Sequence, residues 1–99
     1  LIFTSGQLPL KPGSKDISDN IKDQARASLT NVRAILEAAG SSLQKVVKTT
    51  VYLTDISDFA SVNEIYAEFF SAPFPARSCF AVKALPLGAR VEIEVIASV

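Results

Sequence analysis

The residues best suited to chemistry fall in two short stretches, Pro75-Ala76-Arg77-Ser78-Cys79 and Val91-Glu92-Ile93-Glu94. An arginine at the mouth of a strand, behind a stiff proline-bounded segment, offers a fixed fork for two-pronged binding of a carboxylate. A structural ion pair or a solvated strand end is the commoner fate of a lone arginine. Alternation along a strand puts Cys79 on the same sheet face as Arg77. With no histidine in the chain and no helix N-terminus at hand, nothing lowers the pKa of that thiol. Cys79 therefore reads as a small apolar residue whose backbone could still bind a ligand. Glu92 and Glu94 offer a general base or a holder for water; for Glu94 the plain polar face of a strand is preferred. Gly6, next to Ser5, allows close backbone approach, although Ser5 alone reads equally as a strand-end serine. Asn63 lies inside a helix, a poor intrinsic position for asparagine, which a hydrogen bond or a solvent-facing placement would explain.

The absences narrow the chemistry further. Without histidine there is no Ser-His triad, no imidazole acid–base pair and no histidine-containing metal site. One cysteine makes neither an internal disulfide nor a CxxC metal site, and a single free thiol fits a reducing compartment. The expectation is an activity with no metal and no cofactor. Ten basic residues balance ten acidic ones, so no net field draws nucleic acid or an anionic membrane. No apolar run approaches the ~20 residues of a membrane span, and no basic, apolar leader precedes the domain. The cytosol is the default location, with the mitochondrial matrix as the alternative for a copy whose leader is removed.

The elements that must position these residues follow from periodicity. Leu1 to Leu8 reads as a strand ending at Pro9. Its abrupt start, Leu1-Ile2-Phe3-Thr4, suggests that sequence upstream is missing. Ser18-Asp19-Asn20 supplies helix N-caps. Ile21, Ala25, Leu29, Val32, Leu36 and Ala39 then recur at helical spacing, and Gly40 follows as the C-terminal stop. Val46 to Thr54 reads as a central strand. Phe59, Val62, Ile65, Tyr66, Phe69 and Phe70 mark a second helix, which Pro73 and Pro75 end. Arg77–Leu85 and Arg90–Val99 read as two strands joined in an antiparallel hairpin around Leu87-Gly88. These 99 residues make one α+β domain, β-α-β-α-β-β, with both helices on one sheet face.

In that reading Ser78, Phe80, Val82 and Ala84 join Val91, Ile93, Val95 and Ala97 on the helix-covered face. The opposite face mixes Cys79, Ala81 and Ile96 with Arg77, Lys83 and the two glutamates, which suits a subunit interface better than bulk water. A tight hairpin sets Lys83 opposite Glu92, which leaves Arg77 roughly 20 Å away along the strand. Arg77 and Glu92 could then share a small substrate only across subunits.

At these residues the chain resembles the RidA/YjgF family, once called L-PSP endoribonuclease or translation inhibitor. The resemblance spans essentially the whole chain. It includes Phe3-Thr4-Ser5-Gly6-Gln7, Leu36-Glu37-Ala38-Ala39-Gly40, Val46-Val47-Lys48-Thr49-Thr50-Val51, Asp58-Phe59 and Val62-Asn63-Glu64-Ile65-Tyr66. Pro75-Ala76-Arg77-Ser78-Cys79, Leu85-Pro86-Leu87-Gly88 and Val91-Glu92-Ile93-Glu94 complete it, and the Pro-Ala-Arg-Ser block with Glu-Ile-Glu at this spacing is its most specific part. The resemblance implies a chorismate-mutase-like fold and a homotrimer with clefts between subunits. It also implies hydrolysis of 2-imino or enamino acids, such as 2-iminobutanoate and 2-iminopropanoate, to 2-keto acids and ammonia. Carried over by motif, Arg77 binds the substrate carboxylate, Cys79 lines the cleft, Glu92 positions the attacking water, Ser5 and Gly6 lie at the pocket, and Asn63 supports it. A tyrosine in an upstream Gly-Pro-Tyr-Ser stretch, also part of the family pattern, is not among these residues. The rival readings are a non-catalytic trimer that binds a small ligand and, against the neutral charge, an endoribonuclease.

Overall fold

The computed structural model describes residues 1–99. In chain order the elements are β1 (Ile2–Phe3), α1 (Ile21–Ala38), β2 (Val46–Leu53), α2 (Phe59–Phe69), β3 (Ala76–Ala81) and β4 (Val91–Ala97). Asn20 caps α1, its side-chain oxygen accepting the Asp23 amide at 3.0 Å. Ala25, Leu29, Val32 and Leu36 bury the apolar stripe. Gly40 then takes φ 82°, the left-handed conformation that ends the helix without a Cβ penalty. Asp55 accepts from both the amide and the hydroxyl of Ser57, shaping the tight turn that leads into α2. The first strand is shorter than expected: only Ile2–Phe3 pairs continuously, and Gln7 rejoins β4 as an isolated bridge to Ile93.

The sheet order is β1-β4-β2-β3, with β4 antiparallel to both neighbours and β3 parallel to β2. This corrects the expected hairpin, because β3 and β4 lie on opposite sides of β2. The physical reason is the helix between β2 and β3. A crossover through α2 returns the chain to the same end of the sheet, so β3 must run parallel to β2. Only the other edge of β2 then remains for β4. The connection is also longer than the expected tight turn, since β3 ends at Ala81 and β4 begins at Val91. Lys83 therefore does not lie opposite Glu92; Tyr52 does.

The faces of β3 are likewise the reverse of expectation. Arg77 pairs with Thr49 and Cys79 with Val51, and both partners are buried under the helices. Ser78 and Phe80 stand with Thr50 and Tyr52 on the open face. Alternation of Phe80, Val82 and Ala84 suggests a core-facing row, yet β3 is an edge strand on which every residue but Cys79 is exposed. The assignment for β4 stands, with Val91, Ile93, Val95 and Ala97 buried. The helix side holds a continuous core of Leu29, Val32, Leu36, Leu53, Val62, Ile65 and the inward row of β4. The open side bears Glu92, Glu94, Tyr52 and Ile96, with Phe3 and Phe80 at 68% and 46% exposure. No helix is long and apolar enough to cross a membrane.

Candidate functional site: two half-sites on opposite faces

One half-site is built where α2 overhangs the β3 edge. Phe59, Asn63 and Tyr66, at steps of four and three, share one face of the helix. The Arg77 guanidinium carbon lies 4.6 Å from the Tyr66 ring centroid and 5.2 Å from that of Phe59. Its Nη1 donates to Asn63 Oδ1 at 2.7 Å. Asn63 thus earns its place inside the helix as the anchor of this arginine. The Tyr66 ring is itself fixed, with its hydroxyl 2.9 Å from Thr49 Oγ1 and both residues buried. Burial pushes the Tyr66 phenol up, against the smaller opposing effects of the Thr49 bond and the Arg77 charge, so it stays neutral. Nε and Nη2 of Arg77 have no protein partner, which leaves one edge of the fork free for a carboxylate.

Cys79 follows on the same side of β3, half-buried against the core. Burial pushes its thiol up, with the Arg77 charge opposing. It is protonated at neutral pH and is a poor nucleophile.

The other half-site lies on the open face near β1. A Cβ at Gly6 would meet Glu92 Cδ at 2.7 Å and its two carboxylate oxygens at 2.9 and 3.0 Å. Only glycine allows the carboxylate to lie against the backbone there. Paired bonds hold this segment, Gln7 N to Ile93 O at 2.8 Å and Ile93 N to Gln7 O at 3.2 Å. The Gln7 side chain donates to Ser5 Oγ at 3.2 Å, which keeps Ser5 beside Gly6. Glu94, two residues further along the same face, accepts a hydrogen bond from the Tyr52 hydroxyl. That bond, followed by desolvation and the charges of Glu94 and Glu92, pushes the Tyr52 phenol up to about 12. Glu94 is thereby engaged, and Glu92 is the carboxylate with no protein partner.

One chain does not bring Arg77 and Glu92 together. They point to opposite faces of the sheet. Arg77 is level with Thr49 and Glu92 with Tyr52, on strands that flank β2. Three residue steps along and two strand spacings across put their Cα atoms roughly 14 Å apart. The expected hairpin would have put the two on one face about 20 Å apart; the crossover topology instead brings them closer and onto opposite faces. Arg77, Asn63 and Cys79 form one group, and Ser5, Gly6 and Glu92 the other. The aromatic floor of Phe59 and Tyr66 is the part that sequence reasoning missed. Its signal was present, because both residues share the helical face of Asn63. A groove of about 480 Å³ between the segment around Pro9–Pro12 and α1 contains Arg26, which is already committed to Glu68 and Asp23.

The architecture is a small α+β domain of two helices on a four-stranded sheet, with the Arg77 guanidinium on one face and the Glu92 carboxylate on the other. The profile of the family described as Endoribonuclease L-PSP matches residues 1–99. The chain belongs to this family, the RidA/YjgF family. It is 54% identical over 99 residues to the RutC family protein y4sK of Sinorhizobium fredii, covering 99% of this chain and 79% of that protein. It is 48% identical over 100 residues to the 2-iminobutanoate/2-iminopropanoate deaminase of Salmonella typhimurium, covering 98% and 78%. The crystal structure of E. coli TdcF with bound serine superposes with a TM-score of 0.91 at 49% identity, over 96% of this chain and 77% of that one.

Proposed function

We propose that this chain hydrolyses 2-imino acids, among them 2-iminobutanoate and 2-iminopropanoate, to 2-keto acids and ammonia in clefts between subunits of a homotrimer. The observation that carries this reading is the split itself. An arginine with one edge of its fork free of protein partners and a carboxylate without a protein partner stand on opposite faces of one sheet, each lacking what the other provides. An assembly in which Arg77 of one subunit faces Glu92 of the next is head-to-tail, and such contacts close into a trimeric ring when successive subunits are related by a third of a turn. The exposed Phe3 and Phe80 on the open face supply apolar surface for that contact. The bound serine in E. coli TdcF supports a small carboxylate ligand for this fold.

In the cleft, Arg77 holds the substrate carboxylate through its free edge, and Asn63 and the two rings fix the fork. Cys79 lines the wall, and its backbone is available to the ligand. Glu92, with Gly6 and Ser5 beside it, orients a water on the imine carbon and takes its proton as the new C–O bond forms. The C=N π pair goes to nitrogen, which receives from Glu92 the proton that water gave up, so the carboxylate is restored and a carbinolamine results. The second step transfers the hydroxyl proton to nitrogen, breaks the C–N bond and releases ammonia with the 2-keto acid. Imines of this kind already react with water, so positioning and modest proton transfer are sufficient. The reducing cytosol suits the free thiol and the unstable substrate.

The test generates the imine with an amino-acid dehydratase or oxidase in the presence of semicarbazide, which traps it. Semicarbazone should fall in proportion to added protein, and Arg77→Ala should abolish the effect. Undiminished semicarbazone with trimeric wild-type protein would favour the non-catalytic binding reading.

A further inference from the structure

Thr4, Gln24, Ser28, Thr49 and Asp58 are the buried polar and charged residues of the chain. Asp58 pairs with Arg90, Gln24 accepts from the Arg90 amide, and the Thr4 hydroxyl accepts from the Val95 amide, so these three tie segments of the fold together. Ser28 has no partner. Thr49 is different, because its hydroxyl leads to the arginine. It interrupts the inward row of β2, where Val51 and Leu53 follow it into the core. A valine would fill nearly the same space without the cost of burying a hydroxyl. The side-chain partner of Thr49 is the Tyr66 hydroxyl, at 2.9 Å. In register Thr49 lies beside Arg77 on the neighbouring strand, and the Tyr66 ring centroid lies 4.6 Å from the Arg77 guanidinium carbon. Phe70 packs against the same ring, with the centroids 4.5 Å apart.

We infer that Thr49 is a positioning residue for the carboxylate clamp: its hydroxyl fixes the Tyr66 ring, and the ring sets the plane of the Arg77 fork before a ligand arrives. The inference rests on the reading of Arg77 as that clamp. Thr49 is wholly buried, so it touches no ligand and acts only through Tyr66. Its branched Cβ restricts χ1, and its strand is flanked on both sides, which makes it a firm anchor. Arg77 stands on an exposed edge strand, with one side-chain hydrogen bond, to Asn63. A long side chain that must be ordered at each binding event weakens affinity, and a fixed ring beneath it orders the guanidinium in advance. The carboxylate contact is the same in bound substrate and transition state, so loosening it raises KM and leaves kcat alone.

The experiment removes the hydroxyl from either end of the bond. Thr49→Val, Tyr66→Phe and the double variant are assayed for imine hydrolysis and, by calorimetry, for binding of 2-ketobutanoate, which has the carboxylate without the imine. Each single variant should raise KM and the Kd of 2-ketobutanoate about three- to tenfold, the scale of one ordinary hydrogen bond, with kcat within about twofold of wild type. The double variant should be no worse than the poorer single one, because both lose the same bond. Thr49→Ser keeps the hydroxyl and should bring both constants back close to wild type. A threonine that serves the core alone gives another pattern. Thr49→Val would then lower urea stability and the fraction of active protein, and with it the apparent kcat, while KM and Kd stay at wild-type values. That pattern overturns the inference, and so do additive losses in the double variant. If the wild type turns over no imine, the hydrolytic reading falls and the Kd series decides the inference. A wild type that also fails to bind 2-ketobutanoate removes the clamp, and the role of Thr49 with it.

Discussion

Two individually inactive variants should restore activity to one another, and the amount restored follows from the topology. Arg77→Ala removes the clamp and leaves Glu92 in place; Glu92→Gln does the reverse. If each cleft draws its arginine from one subunit and its carboxylate from the next, a working cleft needs an Arg77-intact chain followed by a Glu92-intact chain. In an equal, random mixture each requirement is met half the time. About one quarter of the clefts are then wild type in a head-to-tail ring. The variants would be mixed in denaturant and refolded together, or co-expressed with a tag on one, and assayed by semicarbazide trapping. Roughly 25% of wild-type specific activity is expected, rising and falling with the mixing ratio as the product of the two fractions. Activity that stays at the sum of the separate variants, in hybrids verified by mass, refutes a shared cleft. It would require Arg77 and Glu92 to act within one chain despite facing opposite sides of its sheet.

Three further perturbations probe single contacts. Arg77→Lys keeps the charge but loses the fork, the bond to Asn63 and the planar stacking on Tyr66. Losing one charge-assisted bond at about 1.5–3 kcal/mol predicts a fall in kcat/KM of about 10- to 150-fold, and a value within twofold of wild type would exclude a two-pronged clamp. Gly6→Ala places a methyl group where the Glu92 carboxylate now lies. The side chain should swing aside with little change in urea stability, while kcat falls up to about 100-fold, the scale of a misplaced catalytic group; unchanged kcat would remove Glu92 from the water site. Tyr52 donates to Glu94 and its phenol is pushed from about 10 up to about 12. Because the folded value is raised, its contribution is complete below pH ~10 and disappears as the pH climbs through about 12. The stability difference between wild type and Tyr52→Phe, measured by urea unfolding from pH 8 to 12, should be constant at first and shrink above pH 10. A difference that does not vary across that range would show that the bond is not formed.

What could be read from the chain depended on how local the determining interaction was. The spacing of Ala25, Leu29, Val32 and Leu36, with Asn20 before and Gly40 after, contains everything needed to place α1. Strand pairing depends on which distant segment arrives at which edge, and there the reading failed. Pro86-Leu87-Gly88-Ala89 looks like a hairpin turn, but a helix between β2 and β3 dictates a crossover and forces β4 to the far side of β2. The face of β3 was lost with it, because an edge strand is only partly covered and its apolar residues need not point inward. Residue types told more about the site than periodicity did. Arg77, Asn63 and Glu92 were singled out for their chemistry, but their partners, Tyr66 for the arginine and Gly6 for the carboxylate, meet them only through the tertiary fold.

The sheet order also constrains how the chain acquires its structure. The contiguous stretch from Val46 to Ala81 contains β2, α2 and β3, whose contacts are short in sequence and can form early. β4 is a central strand and enters last, with its inward row completing the layer beneath α1. Until it arrives, β2 presents a bare edge and α1 an unpaired apolar stripe, both prone to capture by another chain. β1 waits longest: its strand partner is β4, so Ile2 has no place to dock until Ala97 has been made. A nascent chain therefore cannot finish this domain while its final strand is still in the ribosomal tunnel. Deleting that strand would not shorten the sheet at its rim; it would cut the sheet in two.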